Sequence, residues 1–197
     1  MFKSWPVIGA VLLAFTLVVP AWAYDFPLSE SAIRDAYFLG TRQTSLGPNF
    51  LADYSHEIPR LSLGNYRSFA SLETPFTQVA ILSSKKLNYS AQDAVKEFLG
   101  KPLVFRIHLE ICYMLDAPPD GLEVRIVQNK KDLLPDSSER ALFFPASDKY
   151  AAPPPAIGET MDFEFRPDKI DSSTLSILID TPDGQQAQLD LDLRALR

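Results

Sequence analysis

From Leu103 to Leu115 the chain runs on a two-residue period, a pattern that only a sheet with one dry face satisfies over such a length. Leu103, Phe105, Ile107, Leu109, Ile111, Tyr113 and Leu115 alternate with Val104, Arg106, His108, Glu110, Cys112 and Met114. Successive strand side chains point to opposite faces, so seven apolar positions share one side. The pattern recurs downstream. Leu122, Val124 and Ile126 alternate with Glu123 and Arg125, and Met161, Phe163 and Phe165 alternate with Asp162 and Glu164. Leu175, Ile177 and Ile179 lead into Pro182-Asp183-Gly184, after which Ala187, Leu189, Leu191 and Leu193 return with Gln188, Asp190 and Asp192 outward.

Proline presets the first corner of a turn and glycine takes positive φ, so Pro118-Pro119-Asp120-Gly121 and Pro182-Asp183-Gly184 each predict a hairpin. Strands that are apolar on one side and charged on the other belong to sheets covered on one face. Two such sheets stacked on their apolar faces make a β-sandwich, by analogy immunoglobulin-like. The expected fold is therefore mainly β with flanking helices and an N-terminal helical arm. The alternative is an α+β fold with a single antiparallel sheet covered by helices.

Helical spacing is confined to the first half. Ser29 reads as an N-cap, Leu28 staples onto Ile33, and Ala36, Tyr37 and Gly40 continue the stripe, with Gly40 as a left-handed stop before Arg42. A second short helix is expected from Pro48, with Phe50, Leu51 and Tyr54 inward, ending before Pro59. Gly64-Asn65 reads as a turn and Phe76 to Ser83 as a strand. A further helix begins at Ser90, where Ser90-Ala91-Gln92-Asp93 forms a capping box. It carries Ala91, Ala94, Val95, Phe98 and Leu99 on one stripe and closes at Gly100. Ala151 to Ala156, rich in proline, reads as an extended spacer.

The N-terminus carries an address. Lys3, an apolar run from Val7 to Val19, Pro20 and then Ala21-Trp22-Ala23 have the order of an export signal cut near Ala23, leaving a mature chain from Tyr24. The run holds 13 residues, against about 20 for a spanning helix. No later segment is apolar enough to span. The expected organisation is a cleaved signal at 1–23, a helical arm at 24–60, and a β-rich domain at 61–197 with one helix near 91–99. Loss of Lys3 takes the net charge from −6 to −7, and an acidic chain without basic runs suits neither nucleic acid nor an anionic membrane surface. Cys112 is the single cysteine, so an exported fold here rests on its core without an internal disulfide.

Chemistry is sparse by comparison. His108 lies between Arg106 and Glu110 on the polar side of its strand, readable as a base or metal ligand oriented by Glu110, or as part of an exposed charge ladder. Cys112 sits about 13 Å farther along the strand, beyond a Cys–His pairing. His56-Glu57 lacks the second histidine of H-E-x-x-H, Arg60 standing in its place, and a zinc site would need His56 to meet His108 and a carboxylate. Asp162 and Glu164, with Asp190 and Asp192, would form a carboxylate cluster if their strands were neighbours. The Asp180–Gly184 turn is a calcium candidate that a plain hairpin also explains. Asn88-Tyr89-Ser90 fits the glycosylation pattern. There is no G-x-S-x-G, phosphate loop or dinucleotide fingerprint. No catalytic, cofactor-binding or metal residues are assigned and no cofactor is expected. The expected function is an exported, non-catalytic module binding an unknown protein or glycan partner in the envelope or medium. The alternative is a carboxylate- or histidine-dependent hydrolase or lyase, and a third possibility is a structural subunit that pairs through a strand edge.

Overall fold

The computed structural model describes residues 26–42, 54–60, 66–113, 121–144 and 157–196. The expected signal segment, Phe50 and Leu51 of the second helix, the Gly64-Asn65 turn, Pro118 to Asp120 and the Ala151–Ala156 spacer lie outside the described residues. Among the described residues nine strands form two antiparallel sheets. The first holds β1 (Ser55–Ile58), β2 (Tyr66–Glu73), β3 (Phe105–Tyr113), β7 (Gly158–Phe165) and β6 (Ser137–Phe143), in that spatial order. The second holds β5 (Lys131–Asp132), β4 (Glu123–Gln128), β8 (Thr174–Asp180) and β9 (Gln186–Asp192). Among the described residues three α-helices accompany them: α1 (Glu30–Arg42), α2 (Pro75–Lys85) and α3 (Ala91–Phe98). The fold is thus β-rich α+β, with two sheets in place of the single sheet of the alternative reading.

The two-residue period of β3 does what its sequence demands. Phe105, Ile107, Leu109 and Ile111 are fully buried, while Arg106, His108 and Glu110 face outward. Those four side chains share one core cluster with Ala70 and Leu72 of β2 and with Ile126, Leu175, Ile177, Ile179 and Leu191 of the second sheet. Truncating Phe105 to Ala should cost about 3–5 kcal/mol, transfer and cavity together.

Several local expectations change. β3 and β4 lie in different sheets, so Gly121, at φ 92°, ends a crossing between sheets where a hairpin was expected. The second turn is a hairpin as read: β8 pairs with β9 and Gly184 sits at φ 80°. Phe76 to Ser83 is helix, not strand. The Thr74 hydroxyl accepts from Thr77 N at 3.2 Å, Pro75 occupies the first turn, and Phe76, Val79, Ala80 and Ser83 are buried at helical spacing. Ser55 to Ile58, expected in the second helix, is a strand paired with β2. Tyr66 to Glu73 is a strand that the hydrophobic pattern hides, because its inward positions include Ser68 and Ala70.

Helices α1, α2 and α3 surround a second core cluster built on Ile33, Ala36, Phe76, Val79, Ala80, Val95 and Phe98. Ser29 Oγ accepts from Ala32 N at 3.1 Å and caps α1, and the Ser90–Asp93 capping box of α3 closes in both directions. Gly100, at φ 75°, ends α3. Gly40 does not stop α1. It lies inside the helix and is buried where α1 crosses α2, and a Cβ there would stand 2.1 Å from the Ala80 carbonyl oxygen.

Gly40→Ala therefore sets two effects against each other. Helix propensity favours alanine by about 1 kcal/mol, while overpacking against a backbone carbonyl costs about 1–3 kcal/mol. The clash should win. Urea unfolding is expected to show a net loss of about 1 kcal/mol or more, and a stabilised variant would contradict so close a crossing.

Candidate functional site: the outer face of the five-stranded sheet

Register brings the charged residues of this sheet into rows that cross the strands. In the first, Glu73, Arg106, Glu164 and Ser137 stand side by side on β2, β3, β7 and β6. The Arg106 guanidinium donates to Glu73 Oε2 at 2.8 Å and to Glu164 Oε1 at 2.5 and 3.1 Å, and Ser137 Oγ donates to Glu164 Oε2 at 3.0 Å. One planar fork thus ties three strands together. Arg106 and the Ser137 hydroxyl hold the Glu164 carboxyl below its ordinary range, and Glu164 in turn raises Arg106.

In the second row Ser55, Ser71, His108, Asp162 and Glu139 cross all five strands. His108 Nδ1 lies 2.9 Å from Asp162 Oδ1, both side chains being a little over one-third exposed. The partner of His108 is therefore across the sheet, not Glu110 along the strand. Ser71 stands opposite His108 on the other side, and its Oγ is 3.5 Å from Ser55 Oγ. Glu57, Phe69, Glu110, Thr160 and Ala141 make the third row, beside which Arg67 donates to Glu57 at 3.0 Å and lies over the Phe69 ring at 4.8 Å. Between β6 and β7, Ser137, Ser138, Glu139, Asp162 and Glu164 line an open depression of about 380 Å³.

The other sequence candidates do not converge. Asp162 and Glu164 lie on β7, whereas Asp190 and Asp192 lie on β9 in the second sheet. Asp190 accepts from Ser176 Oγ at 2.6 Å and from Gln188 at 2.8 Å. Asp192 accepts from Arg194 N and its guanidinium, which bring its pKa down to about 2. In the calcium candidate, Asp183 is held by Thr181 and Gln185 and Asp180 by Gln186, bonds within the hairpin, and Arg125 of the neighbouring β4 also holds Asp180. His56 pairs with Ala70, on the opposite face of the sheet from His108, so they cannot share a zinc ion. Among the described residues no group of three or more His, Cys, Asp or Glu is placed to hold a metal. Burial, and then Glu110, push the Cys112 thiol up, away from the reactive thiolate. Ser90 of the glycosylation pattern is spent on capping α3.

The residues that sequence reasoning missed are Ser71 and Glu73, in the strand whose small inward residues blur its period, and the specific role of Asp162 opposite His108. Alternation marks an outward face, but register, which decides who meets whom, comes from the assembled sheet.

The depressed carboxylates Glu164, Asp180 and Asp190 fix the sign of acid sensitivity. A group whose folded pKa lies below its unfolded one stabilises fully above the unfolded value and loses that contribution as pH falls through the folded one. Urea stability should therefore hold above the ordinary glutamate value of 4.5 and fall below it. Arg106→Gln should cost about 1 kcal/mol or less at neutral pH, the pair being one-third exposed. It should also flatten the acid loss, and equal acid sensitivity of variant and parent would contradict the clamp.

No family model, curated protein or solved structure matches this chain.

Proposed function

We propose that the protein is an exported, non-catalytic binding module, a β-sandwich that presents the outer face of its five-stranded sheet to a protein or glycan partner. The sandwich is supported by the single core that draws side chains from both sheets. Export is supported by the charge, apolar run and Ala-Trp-Ala frame ahead of Tyr24. One observation carries the binding role: polar side chains of the outer face are pre-set by cross-strand bonds while remaining about one-third exposed. A partner meeting that face has little rotamer freedom to freeze, which is the main saving that pre-organisation offers. Glu57, Glu73, Glu110, Glu139, Asp162 and Glu164 outnumber Arg67 and Arg106 on it. The matching partner presents hydroxyl or basic donors.

Charge reversal tests this. Glu110→Arg combined with Glu139→Arg should weaken binding on a glycan array, or photo-crosslinking in envelope extract, by about tenfold or more. Gln188→Arg on the second sheet should leave both unchanged. Retention of the same partner at the same affinity by the double variant would overturn the assignment of the face. Intact mass of the protein recovered from the envelope fraction should begin at Tyr24, and a full-length cytoplasmic chain would overturn export.

A second reading rests on one further observation, the line of Ser71, His108 and Asp162 across three adjacent strands. A carboxylate on Nδ1 and a hydroxyl on the far side of the ring is the order of a hydrolase triad. On that reading His108→Ala abolishes turnover of a simple ester while the melting temperature stays nearly unchanged. Turnover no higher than blank by the parent protein, on ester, glycoside and peptide substrates, would remove it.

A further inference from the structure

We infer that a cavity beside α3, where the helical cluster meets Phe26, binds a small amphiphilic anion: a carboxylate on an aliphatic tail of about six carbons. The inference is independent of the binding face, because none of the residues lining the cavity belongs to that face.

The residues ahead of α1, the first turn of α2 and the segment that follows α3 enclose about 180 Å³. Leu28, Pro75, Phe98 and Leu103, all buried, line it. Half-buried Phe26 makes a further wall and packs against the core cluster of the strands, whereas Leu28, Phe98 and Leu103 belong to the helical cluster. An occupant therefore touches side chains of both interiors. Gly100 and Lys101, both exposed, border the cavity on its solvent side. The space at Gly100 is open, since a Cβ there would meet no heavy atom within 4 Å beyond its chain neighbours.

The walls select an apolar tail. Among the described residues that line the cavity, Lys101 alone carries a polar side chain. Pro27, Pro75 and Pro102 bring no N–H to it, and the Lys101 N–H is spent on the Phe98 carbonyl at 3.0 Å. A sugar or other polyol would find almost no partners there. Cavities of comparable size lined by leucine and phenylalanine stay dry and accept a benzene-sized group.

Charge selects the head group. Lys101 Nζ lies 5.1 Å from the Phe98 ring centroid and makes no salt bridge among the described residues. Lys86 stands over the same ring at 5.9 Å, but Glu97 matches its charge at 2.5 Å. Glu97 is also held by the Tyr89 hydroxyl at 2.6 Å and feels Lys101 only through space. The bordering cation is thus unmatched. It repels an ammonium head, and an uncharged guest leaves it unused. A single carboxylate meets the one ammonium while its tail fills the cavity.

NMR titration of the protein as recovered from expressing cells, with butanoate, hexanoate and octanoate as probes, tests this. Affinity should rise about fourfold per methylene, about 0.8 kcal/mol each, from butanoate to hexanoate. It should level off towards octanoate as the cavity fills, with shifts centred on the Leu28 and Leu103 methyls and the Phe98 ring. Lys101 is exposed, so Lys101→Glu should leave circular dichroism unchanged. It should weaken hexanoate about fivefold or more and favour hexylammonium instead. Hexanol should bind parent and variant alike, and Glu110→Arg with Glu139→Arg should leave hexanoate binding as it was. Hexanoate that shifts none of the cavity residues would overturn the inference. So would affinity indifferent to chain length, or equal binding of hexanoate and hexylammonium by the parent.

Discussion

Burial of the inward side of β3 is the constraint from which the rest of the structure follows. Phe105, Ile107, Leu109 and Ile111 leave no accessible surface, and the strand lies between β2 and β7, its inward side in a core cluster that residues of the second sheet share. Because side chains alternate strictly, fixing those four inward places Arg106, His108 and Glu110 outward. The polar face is therefore a by-product of the dry one. A slip of one residue would drive Arg106 and His108 into the core and expose four large apolar side chains, at several kcal/mol each.

What the sequence discloses depends on how far a signal reaches along the chain. The strand at Phe105–Tyr113, the hairpin at Pro182–Gly184, the N-cap at Ser29 and the capping box at Ser90 are written in residues a few positions apart, and the structure holds each. The stretch from Tyr66 to Lys85 misleads for two reasons. Ser68 and Ala70 are small residues at buried positions, which hides the period of that strand. Phe76 to Ser83 is rich in residues that suit strands, yet Thr74 and Pro75 start a helix, and a buried seat for Phe76, Val79 and Ala80 outweighs local preference. The split of β3 and β4 between two sheets is legible in no short window.

The same distinction governs the polar face. That His108 points to solvent follows from its strand alone. That it meets Asp162 while Arg106 clamps Glu164 as well as Glu73 of β2 follows from β7 returning beside β3 after a long excursion through β4, β5 and β6. Rows of this kind tie non-adjacent parts of the chain at modest energy each, since exposed pairs contribute about 1 kcal/mol or less. Their larger effect is on order: a side chain bonded across a strand no longer samples its rotamers.

The helices are organised differently. Their buried residues belong to a cluster that shares no buried member with the core cluster of the strands. Chain continuity joins the two between α1 and β1, at Thr74, and through the segment from Leu99 to Val104. Two interiors in one chain need not melt together. The trio of helices can come apart as its own cooperative unit while the strands keep their ladders, giving partial opening below the free energy of complete denaturation.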